Sequence, residues 1–224
     1  MYNKSSELLS LSKQVSKHCV GMEGNISGKD GNTLLIKASG SNLSKLTDND
    51  LIPFDFDGNQ LDKLNRRGSM ELSFHIFLLG FEGVNFVSHT HPTNSLRVLC
   101  SHNKTKLTFA IQRMFPDQVI FNGKESCLVP YAKPGQSLTD KIREMVEEFI
   151  GNNGYFPKLI LLENHGIISC GRTIDECVII NDICEKSAEI FMGNGVGDLT
   201  FLSKEEVEEL VIDKDEKYRQ NLIK

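Results

Sequence analysis

Ser88-His89-Thr90-His91-Pro92 decides how this chain is read. It closes an apolar run, Val84-Asn85-Phe86-Val87, that has the marks of a short buried strand. Side chains on a strand alternate between faces, so residues two apart point the same way. His89 and His91 therefore present two imidazoles to one side, with Thr90 facing away. Pro92 has no N–H for a ladder and ends the strand. Two imidazoles on one face of a strand end make two corners of a metal site. They also make an ordinary pair of hydrogen-bonded surface histidines. The rest of the chain decides between these readings.

A third histidine repeats the setting. Leu159-Ile160-Leu161-Leu162 reads as a buried strand running into Glu163-Asn164-His165-Gly166, and Ile167-Ile168-Ser169 continues a sheet. A catalytic zinc takes three protein ligands and keeps an open position. His89, His91 and His165 meet that need when a sheet brings the two strand ends together. The other reading makes His165 a turn residue before Gly166. The remaining histidines are worse placed. His18 ends a helix, His102 lies in a polar turn, and His75 sits one helical turn from Glu71.

Around these positions the chain alternates helices and strands. Leu8, Leu9, Leu11 and Val15 predict a helix over 5–19. Lys29-Asp30-Gly31-Asn32 is a hairpin turn before a strand over 33–37. Ala38-Ser39-Gly40-Ser41 is either a plain turn or a cradle whose N–H groups face an anion. Ser69 predicts the cap of a helix to Leu79, with Glu71 in its first turn, where a carboxylate complements the dipole. Thr93 opens and caps a second helix to Cys100. Leu107 to Ile111 fits strand or helix. Val119-Ile120-Phe121 before Asn122-Gly123 predicts a strand and turn. Leu128 to Tyr131 is a short strand, and Ser137 caps an amphipathic helix to Ile150. Thr173 starts a helix to about Met192, and an acidic helix covers 203–210.

Composition bounds the function. The 224 residues are 25% charged and 39% hydrophobic, as in an ordinary globular protein of one large domain or two small ones. A net charge of -5 with no basic stretch argues against a nucleic-acid partner. No apolar run reaches the ~18 residues that span a bilayer, so no membrane partner is expected. The first residues lack an apolar signal core, which predicts a cytoplasmic protein. Six cysteines without a C-x-x-C pair read as reduced thiols.

Four groups of residues occur in a telling order: Gly24-Asn25-Ile26-Ser27 with Ser39-Gly40; Ser69-Met70-Glu71 with His75; His89-Thr90-His91-Pro92; and Tyr131-Ala132-Lys133-Pro134-Gly135 with Asn164-His165-Gly166. In that order they resemble the class II aldolase/adducin family, from about Leu8 to Met192. The resemblance implies an α/β fold, a single α/β/α domain over 1–224. Its central, mostly antiparallel sheet is covered by helices, with a helical tail over 203–224. It implies a divalent metal, zinc or another such as manganese, on His89, His91 and His165. It makes Glu71 the catalytic acid/base. It places Gly24, Asn25, Ser39, Gly40 and Ser69 around a phosphate. Met70 stands where sugar-phosphate aldolases of the family carry a second serine, which removes one hydroxyl donor. Tyr218 is the candidate for the tyrosine that such aldolases bring across a subunit interface in a homotetramer.

The implied activity is that of a lyase. A metal-stabilised enediolate forms as a C–C bond breaks in a ketose phosphate or related hydroxy-ketone. The same site would serve a 4-epimerase or a dehydratase. The family also holds adducin-like interaction modules, which usually lack the histidines.

Overall fold

The computed structural model describes residues 4–63, 65–193 and 198–223. Runs rich in leucine, isoleucine and valine supply the strands: β1 (Asn25–Asp30), β2 (Thr33–Lys37), β3 (Leu51–Asp55), β4 (Phe86–Thr90), β5 (Cys127–Val129), β6 (Leu159–Leu162) and β7 (Gly166–Gly171). They form one sheet in the order β3-β2-β1-β4-β7-β6-β5. Every pairing is antiparallel except β5 with β6. That parallel pair needs a long crossover, and α6 (Gln136–Asn153) supplies it.

Helices cover both faces, as a sheet with two apolar faces requires. Phe74, Leu78 and Leu79 of α2 (Leu72–Leu79) and Leu138, Ile142 and Val146 of α6 pack on one face, against Ile36, Val87 and Ile168. The other face is covered by α1 (Ser5–Val15), α3 (Thr93–Leu99), α4 (Asn103–Ile111) and α7 (Ile174–Gly193). Two further helices, α8 (Lys204–Ile212) and α9 (Lys214–Asn221), follow an α5 (Pro116–Asn122) on which they pack. Among the described residues no helix is long and apolar enough to cross a membrane.

Several local expectations are corrected. Val119, Ile120 and Phe121 lie in α5, not in a strand. Pro116 at the first helical position and Asp117 behind it start that helix, and Gly123 at φ +88° ends it. Those end signals outweigh the β propensity of three residues. Leu107 to Ile111 resolves as helix. Ser69 does not cap α2, which begins at Leu72. Its N–H instead donates to Lys37 O at 3.0 Å, and its Oγ accepts the Glu71 N–H at 3.3 Å. Glu71 therefore flanks the helix and is not part of its first turn. Pro92, not Thr93, holds the cap position of α3, and Gly135, not Ser137, that of α6.

Candidate metal centre and its cleft

β4 and β7 pair with His89 opposite Ile168 and Thr90 opposite Ile167. That register carries the end of the His-x-His strand to the tip of the β6–β7 hairpin. Asn164 turns the tip with φ +55°, a left-handed conformation that asparagine tolerates. His165 follows it and faces back over β4. Gly166 permits the approach, since a Cβ there would lie 2.5 Å from Thr90 O and 2.6 Å from His91 Cδ2. Gly24 is constrained in the same way at φ +68°, where a Cβ would meet Cys19 Sγ at 2.6 Å and His89 O at 2.7 Å.

The result is one cluster. One nitrogen from each of His89, His91 and His165 lies within 4.8 Å of the others. Nε2 of His89 and Nε2 of His91 are 3.0 Å apart. His89 Nδ1 lies 2.9 Å from Ile167 O, a carbonyl that can only accept, so Nδ1 carries the proton and Nε2 keeps a lone pair. Burial pushes all three imidazoles down to about 4, so all three are neutral near pH 7. Neutral imidazoles whose ring nitrogens converge on one point fit a divalent cation, which would take the place of the proton shared by His89 and His91, and the fixed Nδ1 of His89 is the outer hydrogen bond such ligands use. Nδ1 of His165 is buried without a partner.

Glu71 lies beside the cluster. Its Oε2 is 3.5 Å from His89 Nε2 and its Oε1 is 3.6 Å from His165 Nε2. The cleft above them measures about 260 Å³ and is lined by Gly24, Asn25, Lys37, Ser39, Gly40, Ser69, Met70, Glu71 and the three histidines, among others. That volume suits a short-chain molecule. Every residue picked from the sequence as a site residue is therefore in one place. Tyr218 is absent from that lining and is 64% exposed on α9.

Two features of the cleft were not read from the sequence. Lys37 ends β2 with only 3% of its surface exposed, and burial lowers its pKa. Its Nζ donates to Ser41 O at 2.7 Å and Met22 O at 3.3 Å, which leaves one of three N–H donors. The alternation of β2 would have flagged it, because Lys37 shares a face with buried Leu35. The loop over 38–41 is less of an anion cradle than its composition implies. The N–H groups of Ser39 and Ser41 donate to Arg67 O and Ala38 O, which leaves the Gly40 N–H. The second feature lies behind the cleft: His75, placed by the sequence in the Ser69-Met70-Glu71 group without a role, is fully buried and bonded to Ser27 and Asn25.

Comparison with known proteins places this geometry. L-fuculose phosphate aldolase of Methanococcus maripaludis is 27% identical over 176 residues, 78% of this chain and 87% of that one. The 3-oxo-tetronate 4-phosphate decarboxylase of Haemophilus influenzae is 27% identical over 195 residues, 86% of this chain and 88% of that one. The solved structure of YgbL from Escherichia coli superposes with a TM-score of 0.77 over 92% of this chain and 96% of that one, at 24% identity, and so shares the fold. The family model for the class II aldolase and adducin N-terminal domain matches residues 9–192. With its three-imidazole cluster and a sheet of this order, the chain belongs to the class II aldolase and adducin N-terminal domain family.

Proposed function

We propose that this protein is a metal-dependent lyase that breaks or forms a C–C bond in a ketose phosphate or related hydroxy-ketone. The observation that carries the reading is the Glu71 carboxylate, 3.5 and 3.6 Å from imidazoles of the histidine cluster and open to the same cleft. Zinc is the proposed ion, held by His89, His91 and His165, since three neutral nitrogens suit it. When bound, it supplies a Lewis acid that stabilises negative charge beside a carbonyl.

The chain's own groups do the rest. Lys37, 3% exposed, brings a buried positive charge to the cleft wall, where it attracts the anionic end of a substrate. The Ser39 and Ser69 hydroxyls and the Gly40 N–H add donors at the same end of the cleft. Binding there orients the carbonyl end toward the histidines. Glu71 carries the proton that must leave or join the substrate as the bond breaks or forms. Met70, 70% exposed, puts a thioether at the rim and no hydroxyl.

Decarboxylation is the second reading. A relative named as a decarboxylase aligns over 195 residues. Loss of CO2 next to a carbonyl leaves the same charge that a retro-aldol step leaves, so one site serves both.

The test is metal analysis of the purified protein, then product analysis on a panel of ketose 1-phosphates and phosphorylated 3-oxo acids. About one zinc per chain and an aldehyde product are expected. Full metal retention by His91→Ala after dialysis would overturn the ligand set, and CO2 release without aldehyde would select the second reading. We propose the homotetramer on the family likeness alone; Met22 and Met70 leave apolar surface exposed at the cleft for a subunit contact, and a monomer in light scattering at micromolar concentration would exclude it.

A further inference from the structure

Behind Glu71 a line of buried polar groups runs between β1 and α2. Asn25 Nδ2 donates to Glu71 Oε2 at 2.7 Å. Asn25 Oδ1 is bonded to His75 Nε2, and His75 Nδ1 lies 2.6 Å from Ser27 Oγ. Ser27 and His75 are 0% exposed, Asn25 5% and Glu71 7%, so water does not compete for these bonds. Phe74 stacks on the His75 ring, with centroids 4.5 Å apart, and fixes its plane.

Each link has one possible direction once Glu71 is ionised. A carboxylate only accepts, so the Asn25 amide must turn its NH2 toward Glu71. Its carbonyl oxygen then faces His75 and can only accept, so the proton on that ring sits on Nε2. Nδ1 is left with a lone pair, and the Ser27 hydroxyl donates to it. One strand supplies both ends of the fixing: Asn25 and Ser27 lie two apart on β1 and so share a face.

We propose that His75 is a positioning residue, held as its Nε2–H tautomer by Ser27, that locks the Asn25 amide and so presents Glu71 with Oε2 tied and Oε1 free for the substrate. This rests on Glu71 as the proton carrier. It gives Asn25 the task of orienting the acid/base through one Nδ2–H and Oδ1, and leaves its second Nδ2–H for the cleft that Asn25 lines.

Two measurements test it. Long-range 1H–15N correlation spectra of the zinc-loaded wild type at pH 7 should show His75 as the Nε2–H tautomer. They should also show a ring proton slow to exchange with solvent. An Nδ1–H ring, or a mixture of tautomers, overturns the proposal. The second measurement is exchange of the carbon-bound proton of dihydroxyacetone phosphate into heavy water, followed by NMR. His75→Leu should keep its zinc and lower the exchange rate at saturation by about 10- to 100-fold, the range a misplaced catalytic group produces. KM should move by less than about threefold. His75→Gln, whose amide N–H reaches toward Asn25, should recover most of the rate. Wild-type exchange in His75→Leu, or equal losses in both variants, overturns the proposal. If His75→Leu does not fold, Ser27→Ala takes its place and should give mixed His75 tautomers with slowed exchange. A wild type that exchanges nothing refutes the proposed lyase activity, and the tautomer spectrum then still decides the role of His75.

Discussion

The two faces of β4 carry two buried polar networks, and only one of them is left open. On the face toward α7, Thr90 Oγ1 donates to Asn181 Oδ1. Asn181 Nδ2 lies 2.9 Å from Ser88 Oγ and 2.7 Å from Ser169 Oγ. None of these side-chain atoms lacks a partner. The network ties the central strands to the helix behind them, and it contains no titratable group. On the face toward α2, His89 joins His91, His165 and Glu71, with two imidazole nitrogens 3.0 Å apart and Nδ1 of His165 unpaired. A closed network fixes structure. An open one, with ring nitrogens converging beside a cleft, is a place for an incoming ligand.

The comparison can be broken most sharply at Glu71. Glu71→Gln should keep fold and zinc and slow turnover by about 100-fold or more, equivalent to ~2.7 kcal/mol of barrier. Proton exchange from dihydroxyacetone phosphate measures it. Exchange at the wild-type rate would make this network structural too. The reverse experiment is Asn181→Leu. It strands the hydroxyls of Ser88, Thr90 and Ser169 and should cost about 2 kcal/mol in urea unfolding, with turnover at 20 °C kept within about twofold.

Acid should also separate the two faces. His89, His91 and His165 have folded pKa values of about 4, below the ordinary 6.5. The unfolded chain therefore binds more protons between those values. Stability of the metal-free protein is fully present above pH 6.5 and falls as pH drops toward 4. Each histidine contributes up to about 1.4 kcal/mol per pH unit in that window, so the three together give a slope of up to about 4 kcal/mol per pH unit. Asn181→Leu should leave that slope unchanged, and a flattened slope would couple the faces. The smallest effect is at the rim. Met70→Ser offers a hydroxyl to the cleft and should tighten inorganic phosphate by about threefold, the worth of one weak neutral hydrogen bond.

How much of this was legible in the sequence follows from which interactions are local. His89 and His91 could be read because strand alternation depends on neighbours alone, and Pro92 marks where it stops. His165 could be read because Leu159 to Leu162 repeats the same strand-into-turn pattern. The order of the sheet was not legible from spacing. The resemblance implies only that the sheet is mostly antiparallel; the strand order and the register, with Asn25 opposite His89, come from the structure. The role of His75 depends on that register and on α2 lying across it, so no pattern within α2 could reveal it. Lys37 is not legible from its position alone, because a lysine at a strand end is usually solvated. The α5 segment was misread because β-branched residues weigh toward strand until Pro116 and Gly123 are weighed as helix ends.

The pairing of β4 with β7 also sets when the three-histidine cluster can exist. The bond from His89 to Ile167 spans 78 residues. Closing a loop of that length costs about 4 kcal/mol of chain entropy before contacts offset it. Until then β4 offers two imidazoles and no third. A cation held by the cluster would therefore meet a sheet already built and would not act as its template, unlike the metal in a zinc finger, which folds the chain around itself. A chelator should accordingly silence this protein and leave it folded.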